Sequence, residues 1–201
     1  MTEKELEVKF YLNNPRQMIN RMLLAGALLA HVRTFERNLR FDTPERTLTG
    51  QERVLRLRQD SKVRITYKGP AESGEAVSVR QEIECTVDDF ETARHLFEAL
   101  GYEVSIEYEK YRTTFRYREL EIVLDEMPYG SFMEIEGPDA ESIEQAAEAL
   151  NLNWDARCTE SYLALFDRLR QIGLEANHLT FELLKGQNYS AEDLGLIPGD
   201  A

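Results

Sequence analysis

The sequence predicts an α+β fold: an eight-stranded antiparallel β-barrel with helices packed on its outside. Three observations point there. Eight runs of strand-type residues alternate with period two and are separated by turn signals. Amphipathic helical patterns lie between and after them, and their apolar sides need a flat apolar face to cover. Nearly every strand, finally, gathers its charges on one face, and an eight-stranded sheet can close so that such a face lines a lumen.

The first strand, residues 3–12 (EKELEVKFYL), puts Glu5, Glu7 and Lys9 on one face and Leu6, Val8 and Phe10 on the other. NNPRQMINRMLLAGALL then predicts a helix, with Asn14 as its cap, Pro15 at the first helical position, and Met18, Met22, Leu23 and Leu29 on the apolar side. Strands follow over residues 34–42, 53–59, 62–68 and 77–86, with the loops TPERTLTGQ and GPAESGEA between them. DDFETARHLFEALGY predicts a second helix, capped by Asp88 with Glu91 as its capping-box partner and stopped by Gly101. Strands over 104–117, 120–125 and 131–136 complete the eight, the last two joined by the turn EMPYG. Two helices, DAESIEQAAEALNL and TESYLALFDRLRQIG, the latter capped by Thr159, close a domain over residues 1–173. Residues 174–201 predict a short helix and a tail.

Period-two bookkeeping sorts the charges. Arg56 and Arg58 stand opposite Leu55 and Leu57; Arg64, Thr66 and Lys68 stand opposite Ile65 and Tyr67; Arg80, Glu82 and Glu84 share a face. Lys110 and Arg112, then Asp125, then Glu134 and Glu136 continue the pattern. The competing reading is an ordinary solvated sheet face. Such faces mix Ser, Thr and Gln with Lys, whereas these positions are almost purely ionic and segregated by sign. Buried ions must be paired or solvated, so a polyanion together with divalent metal would balance both sets.

Bulk composition narrows the partners. Acidic residues number 37 against 24 basic, giving a net charge of −13. A broad basic surface for duplex nucleic acid is therefore not expected, and any polyanion must meet a local concentration of Lys and Arg. Cys85 and Cys158 have no metal-site spacing, and no secretory signal or membrane-length apolar run is present, which points to a reducing cytoplasm. His31, His95 and His178 lie far apart, so a His/Cys metal site is not expected; a hard metal on carboxylates stays open.

The ordered motifs resemble those of the CYTH-domain family, also called triphosphate tunnel metalloenzymes. ELEVK matches the signature ExExK at Glu5, Glu7 and Lys9. RFDT (40–43), LRLR with Arg56 and Arg58, TYKGP with Lys68, RQEIE with Glu82 and Glu84, and EKYRTTF with Lys110 and Arg112 follow in the family's order. VLDEMPYGSFMEIEG, with Asp125, Glu134 and Glu136, and ESY at 160–162 complete a match over roughly residues 3 to 167.

The resemblance implies an antiparallel tunnel that binds a triphosphate through basic residues and Mg²⁺ or Mn²⁺ through glutamates. The expected substrate-binding set is Lys9, Arg56, Arg58, Lys68, Lys110 and Arg112, a row able to neutralise a phosphate chain. Lys9, Glu5 and Glu7 are the expected catalytic positions. Glu5, Glu7, Glu134 and Glu136 are the first metal candidates and Glu82, Glu84 and Asp125 the second. Tripolyphosphate, ATP and thiamine triphosphate are the candidate ligands. Three activities follow as expectations: a metal-dependent triphosphatase, a class IV adenylyl cyclase, or a binding module without turnover. Tyr108, Tyr111 and Tyr162 read first as packing residues, Arg64 and Arg80 as marginal, and Lys185 as a solvated lysine rather than a tunnel plug. Monomer and homodimer both stay open.

Overall fold

The computed structural model describes residues 3–70 and 78–201; the side chains of residues 3–5 and 78 lie outside that description. Among the described residues the chain runs β1 (Glu3–Leu12), α1 (Pro15–Leu24), β2 (Leu28–Asp42), α2 (Thr47–Gly50), β3 (Val54–Gln59), β4 (Val63–Lys68) and β5 (Ser78–Val87). It continues with α3 (Phe90–Ala99), β6 (Glu103–Tyr117), β7 (Leu120–Met127), β8 (Gly130–Glu136), α4 (Ala140–Ala149), a 3₁₀ turn over Trp154–Ala156, and α5 (Tyr162–Gln171). All neighbouring strands are antiparallel, and the order β1-β5-β4-β3-β2-β6-β7-β8 closes into a barrel through the β8–β1 pair.

Alternation decides which residues go where. In β1, Val8 and Phe10 point outward and are fully buried beneath α1 and α4, in a cluster with Met18, Met22, Ile122, Met133, Ile135 and Ile143. Leu39, Phe41 and Leu57 pack under Phe90, Ala93 and Phe97 of α3. A third cluster forms where α5 crosses one end of the barrel: Tyr11 and Phe132, in register with each other and next to the Lys9–Glu134 pair, pack on Tyr162, Leu165 and Phe166.

The strands and the longer helices expected from sequence are present, with local corrections. The first helix stops at Leu24, because Gly26 takes a left-handed φ of 94° that ends it. Leu28 and Leu29 open β2 instead, where pairing with Arg116 and Phe115 overrides the apolar helical pattern, and Leu29 is exposed rather than buried. This added half of β2 follows β6 with two register shifts, between Leu29 and His31 and between His31 and Thr34. Asn14 caps α1 as expected, accepting from Gln17 N–H. Asp89, not Asp88, caps α3, and Ser161, not Thr159, caps α5, since those are the side chains that reach Thr92 N–H and Ala164 N–H. The expected loop 43–51 contains the single turn α2, held by Asp42, whose oxygens accept from the N–H groups of Thr43, Leu48 and Thr49 and from the Thr49 hydroxyl.

Residues 174–201 form successive turns, not a short helix, and they pack closely on the barrel. Leu179 exchanges backbone bonds with Glu107 and Glu109 on β6, at 2.9 Å each, and His178 Nδ1 accepts from Glu107 N–H. Gly199 N–H donates to Tyr11 O, and Asp200 accepts from the N–H groups of Asn13 and Asn14 at 2.8 and 2.7 Å. Leu179, Leu184 and Leu194 are buried in the α5 cluster. These turns satisfy strand edges of β1 and β6 that no sheet neighbour covers, which is why a segment without periodicity is ordered. Leu194→Ala is expected to lower the unfolding free energy by about 2–5 kcal/mol, the range for emptying a fully buried leucine site. Denaturant titration checks it; a loss under about 0.5 kcal/mol would show that the segment packs loosely.

Candidate functional site

A cavity of about 620 Å³ lies inside the barrel. Its lining brings together Glu7, Lys9, Arg56, Arg58, Lys68, Glu82, Glu84, Lys110, Arg112, Glu134 and Glu136, contributed by six strands. Of the residues expected from sequence, two do not appear in the lining: Glu5, whose side chain lies outside the described residues, and Asp125, which has no exposed surface and sits behind the wall. Arg40, Arg80, Tyr108 and Glu121 also line the cavity, as do Thr159, Ser161, Tyr162 and Leu163 at the start of α5. Lys185 is exposed on a turn and takes no part.

Asp125 organises one side. Its Oδ1 accepts from Arg112 Nε at 2.7 Å, and its Oδ2 accepts from Lys110 Nζ at 2.8 Å, Arg112 Nη2 at 2.5 Å and the Tyr162 hydroxyl at 3.0 Å. Both oxygens are therefore occupied. Arg112 Nη2 also donates to Glu134 at 2.5 Å, and Lys9 Nζ lies 3.3 Å from Glu134 and 3.4 Å from Glu7. The Tyr162 ring faces both ammonium groups, with Lys9 Nζ 5.2 Å and Lys110 Nζ 5.5 Å from its centroid, a cation–π arrangement. Tyr162 is thus part of the site as well as of the core.

On the opposite wall Arg58 lies 3.7 Å from Glu36 and from Glu84, Lys68 pairs with Glu82 at 3.1 Å, and Arg64 pairs with Asp60 at 2.6 Å. Arg56 donates to the Tyr108 hydroxyl and to Thr66. Glu36, Asn38 and Arg40 stand on the inner face of β2, beside Lys110, Arg58 and Arg56. Sequence reasoning missed them, although ERNLRFD carries Glu36, Asn38, Arg40 and Asp42 at the same period-two spacing that identified the other strands.

These charges set one another's protonation. Burial alone would push Lys9 down, but Glu7 and Glu134 overcome it and raise the ammonium above its ordinary value. Burial would push Glu134 up, and Lys9 and Arg112 hold it well below the carboxylate range. Glu36, likewise opposed by burial, is held at about 2 by Lys110, Arg112, Arg58 and Arg56. Lys9, Glu134 and Glu36 therefore carry full charges at neutral pH.

The donors available to a cation are carboxylate oxygens, which suit Mg²⁺ or Mn²⁺. Glu7 and Glu121 both stand opposite Glu136 in the strand register, and Lys9 opposite Glu134. Among the described residues no three such groups converge as a preformed metal cage.

With this geometry, the profile of the CYTH domain matches residues 3–160. The chain belongs to the CYTH family. Family membership implies divalent-metal dependence. A protein of Methanocaldococcus jannaschii named a putative adenylate cyclase is 25% identical over 172 residues, covering 80% of this chain and 97% of its own. A Vibrio parahaemolyticus structure described in the same words has a TM-score of 0.73 at 24% identity, covering 83% of this chain and 99% of that one. A protein of Hippeastrum, described as a putative adenylyl cyclase with a dominant triphosphatase activity, shares the fold with a TM-score of 0.61 at 18% identity, over 83% of this chain and 95% of its own. Among the described residues no helix is long and apolar enough to cross a membrane.

Because the Glu36 carboxyl is depressed from 4.5 to about 2, the stability it contributes is fully present above about pH 4.5 and is lost as pH falls through 2. Glu36→Gln should therefore destabilise at pH 7 by a few kcal/mol, on the order of 1.4 kcal/mol for each tenfold change in proton affinity. The gap from wild type should shrink between pH 4.5 and 2. Denaturant unfolding across that range checks it, and a pH-independent gap would contradict the assignment.

Proposed function

We propose that this CYTH protein is an Mg²⁺- or Mn²⁺-dependent triphosphatase that hydrolyses the terminal phosphoanhydride of a triphosphate. The observation that carries the reading is the cavity lining itself: one enclosed space presents both a row of cations and a set of oxygen donors. A module that only bound a polyanion would have less use for the carboxylates.

In this reading Arg56, Arg58, Lys68, Lys110 and Arg112 hold the phosphate chain, and their fixed charges neutralise what develops on the transferred phosphoryl group. Asp125, expected among the metal ligands, is already engaged by Lys110, Arg112 and Tyr162, and its role is to align the two cations. Lys9 remains protonated between Glu7 and Glu134, so it acts as a donor to a phosphate or leaving oxygen and not as a base. Glu7, Glu134 and Glu136, with Glu5 by resemblance, would hold the divalent ion, and Glu82 and Glu84 form the second choice. Bound there, Mg²⁺ or Mn²⁺ would supply charge neutralisation and activation of water. Water adds to the terminal phosphorus, the bridging P–O bond breaks, and tripolyphosphate yields pyrophosphate and orthophosphate.

Class IV adenylyl cyclase is the second reading, favoured by the names of relatives. Cyclisation demands more of the site: the ribose 3′-hydroxyl must be held in line with the α-phosphorus, which calls for a pocket that fixes adenosine. Among the described residues, no set lining the cavity is assignable to adenine. The cyclase name does not discriminate, since the Hippeastrum protein that carries it has a dominant triphosphatase activity.

Product chromatography with Mg²⁺ or Mn²⁺ is expected to show tripolyphosphate cleaved faster than ATP yields cyclic AMP. Cyclic AMP and pyrophosphate as main products from ATP, with tripolyphosphate inert, would reverse the choice. Glu134→Gln and Glu136→Gln should reduce turnover by about 100-fold or more, or shift the metal requirement upward, whereas Arg58→Ala should chiefly raise KM. Unchanged rates and metal dependence in both glutamate variants would remove them from the metal set. Saturating tripolyphosphate should also raise the melting temperature, since a ligand at a hundredfold excess over Kd adds about 2.7 kcal/mol.

A further inference from the structure

The cations of the cavity fall into two groups. Lys9, Arg58, Lys68, Lys110 and Arg112 each have a carboxylate within ion-pair distance. Arg40, Arg56 and Arg80 have none among the described residues, although all three line the same cavity. Arg56 hydrogen-bonds only to neutral hydroxyls, and its buried Nε has no partner. Arg40 stands directly opposite Arg56 in the β2–β3 register, and Arg80 stands opposite Glu5.

Like charges placed directly across a strand pair repel, and no carboxylate among the described residues comes within ion-pair distance of Arg40. Asp42 is taken up by the backbone and hydroxyl donors of residues 43–49. Asp167 is largely exposed and pairs with Arg170. Burial lowers the Arg40 guanidinium below its ordinary value and the Arg80 charge adds to that, against Tyr108, Asp42 and Asp167. A fold that leaves guanidinium groups facing one another in a cavity keeps them for an anion that arrives later.

We propose that Arg40, with Arg56 and Arg80, forms an anion subsite for the phosphate at the end of the chain that is not attacked. This deepens the triphosphatase reading and rests on it. The ligand class is an inorganic oligophosphate of three or more units, whose far end is a free, doubly charged phosphate able to engage several guanidinium groups; a neutral nucleoside there would leave them unmatched. Arg40 is a specificity residue on this account and not part of the catalytic machinery.

Isothermal titration of tripolyphosphate into metal-free protein reads binding without requiring turnover. Arg40→Gln is expected to weaken binding about tenfold or more, and Arg40→Lys to recover part of it. Arg33→Gln removes the same charge from an exposed pair with Glu126 outside the cavity, and should change binding less than about twofold. Without ligand, Arg40→Gln should melt at or above the wild-type temperature, because a buried guanidinium with no carboxylate partner, set against the Arg80 charge, is removed. Arg40→Gln binding within about twofold of wild type, equal losses in Arg33→Gln and Arg40→Gln, or a lower ligand-free melting point would each overturn the proposal. Turnover of tripolyphosphate with unaltered Arg40→Gln affinity would sink this inference alone. Wild-type binding that follows the expected pattern, with no phosphate released by any divalent metal, would sink the triphosphatase reading alone.

Discussion

A carboxylate with no exposed surface must find its hydrogen-bond donors inside the protein, and Asp125 is held by Lys110, by two nitrogens of Arg112 and by the Tyr162 hydroxyl. That contact fixes the remainder of the site. It joins β6 to β7, holds the two basic side chains of β6 toward the lumen, and ties them through Tyr162 to α5. Arg112 extends the link to Glu134 on β8, and Glu134 extends it to Lys9 on β1. An isolated buried ion pair is weak support for a fold, but removing one member of such a chain leaves the others charged and desolvated. The network therefore specifies geometry more than it adds stability.

The inner face also shows how function and stability oppose each other here. Outward-facing Val8, Phe10, Leu57 and Ile135 supply ordinary apolar burial beneath α1, α3 and α4. Inward-facing residues do the opposite: they confine charge of both signs in one cavity. The outer core carries the energetic burden of the lumen.

Period-two alternation makes the barrel legible in sequence, because each strand has one greasy and one charged face and only closure serves both. The same rule places Glu7, Lys9, Arg56, Arg58, Lys68 and Lys110 in the cavity lining, where the structure has them. It reaches Glu36 and Arg40 too, but one Glu and one Arg on the inner parity of ERNLRFD look unremarkable until β3 and β6 bring Arg58, Arg56 and Lys110 beside them. Asp125 reads as a ligand because its face is right; its depth, and the donors that saturate it, depend on partners distant in sequence. Residues 174–201 are illegible for a different reason. Their order comes from strand edges of β1 and β6 offered by the folded barrel, and no local periodicity encodes that.

The two register shifts in the first half of β2 have a consequence for the molecule's behaviour in company. β3 pairs only with Arg37–Phe41, so residues 28–36 present one open strand edge among the described residues, with Leu28 and Val32 mostly exposed beside it. A straight edge of that composition would template the addition of another chain. Shifts between Leu29 and His31 and again between His31 and Thr34 break the regular spacing of its free amide and carbonyl groups. Arg33, paired with Glu126 and stacked on Tyr111, adds a charge in the middle of the apolar run. The irregularity that hides this half-strand in the sequence also removes the regular edge along which a second copy would have to pair.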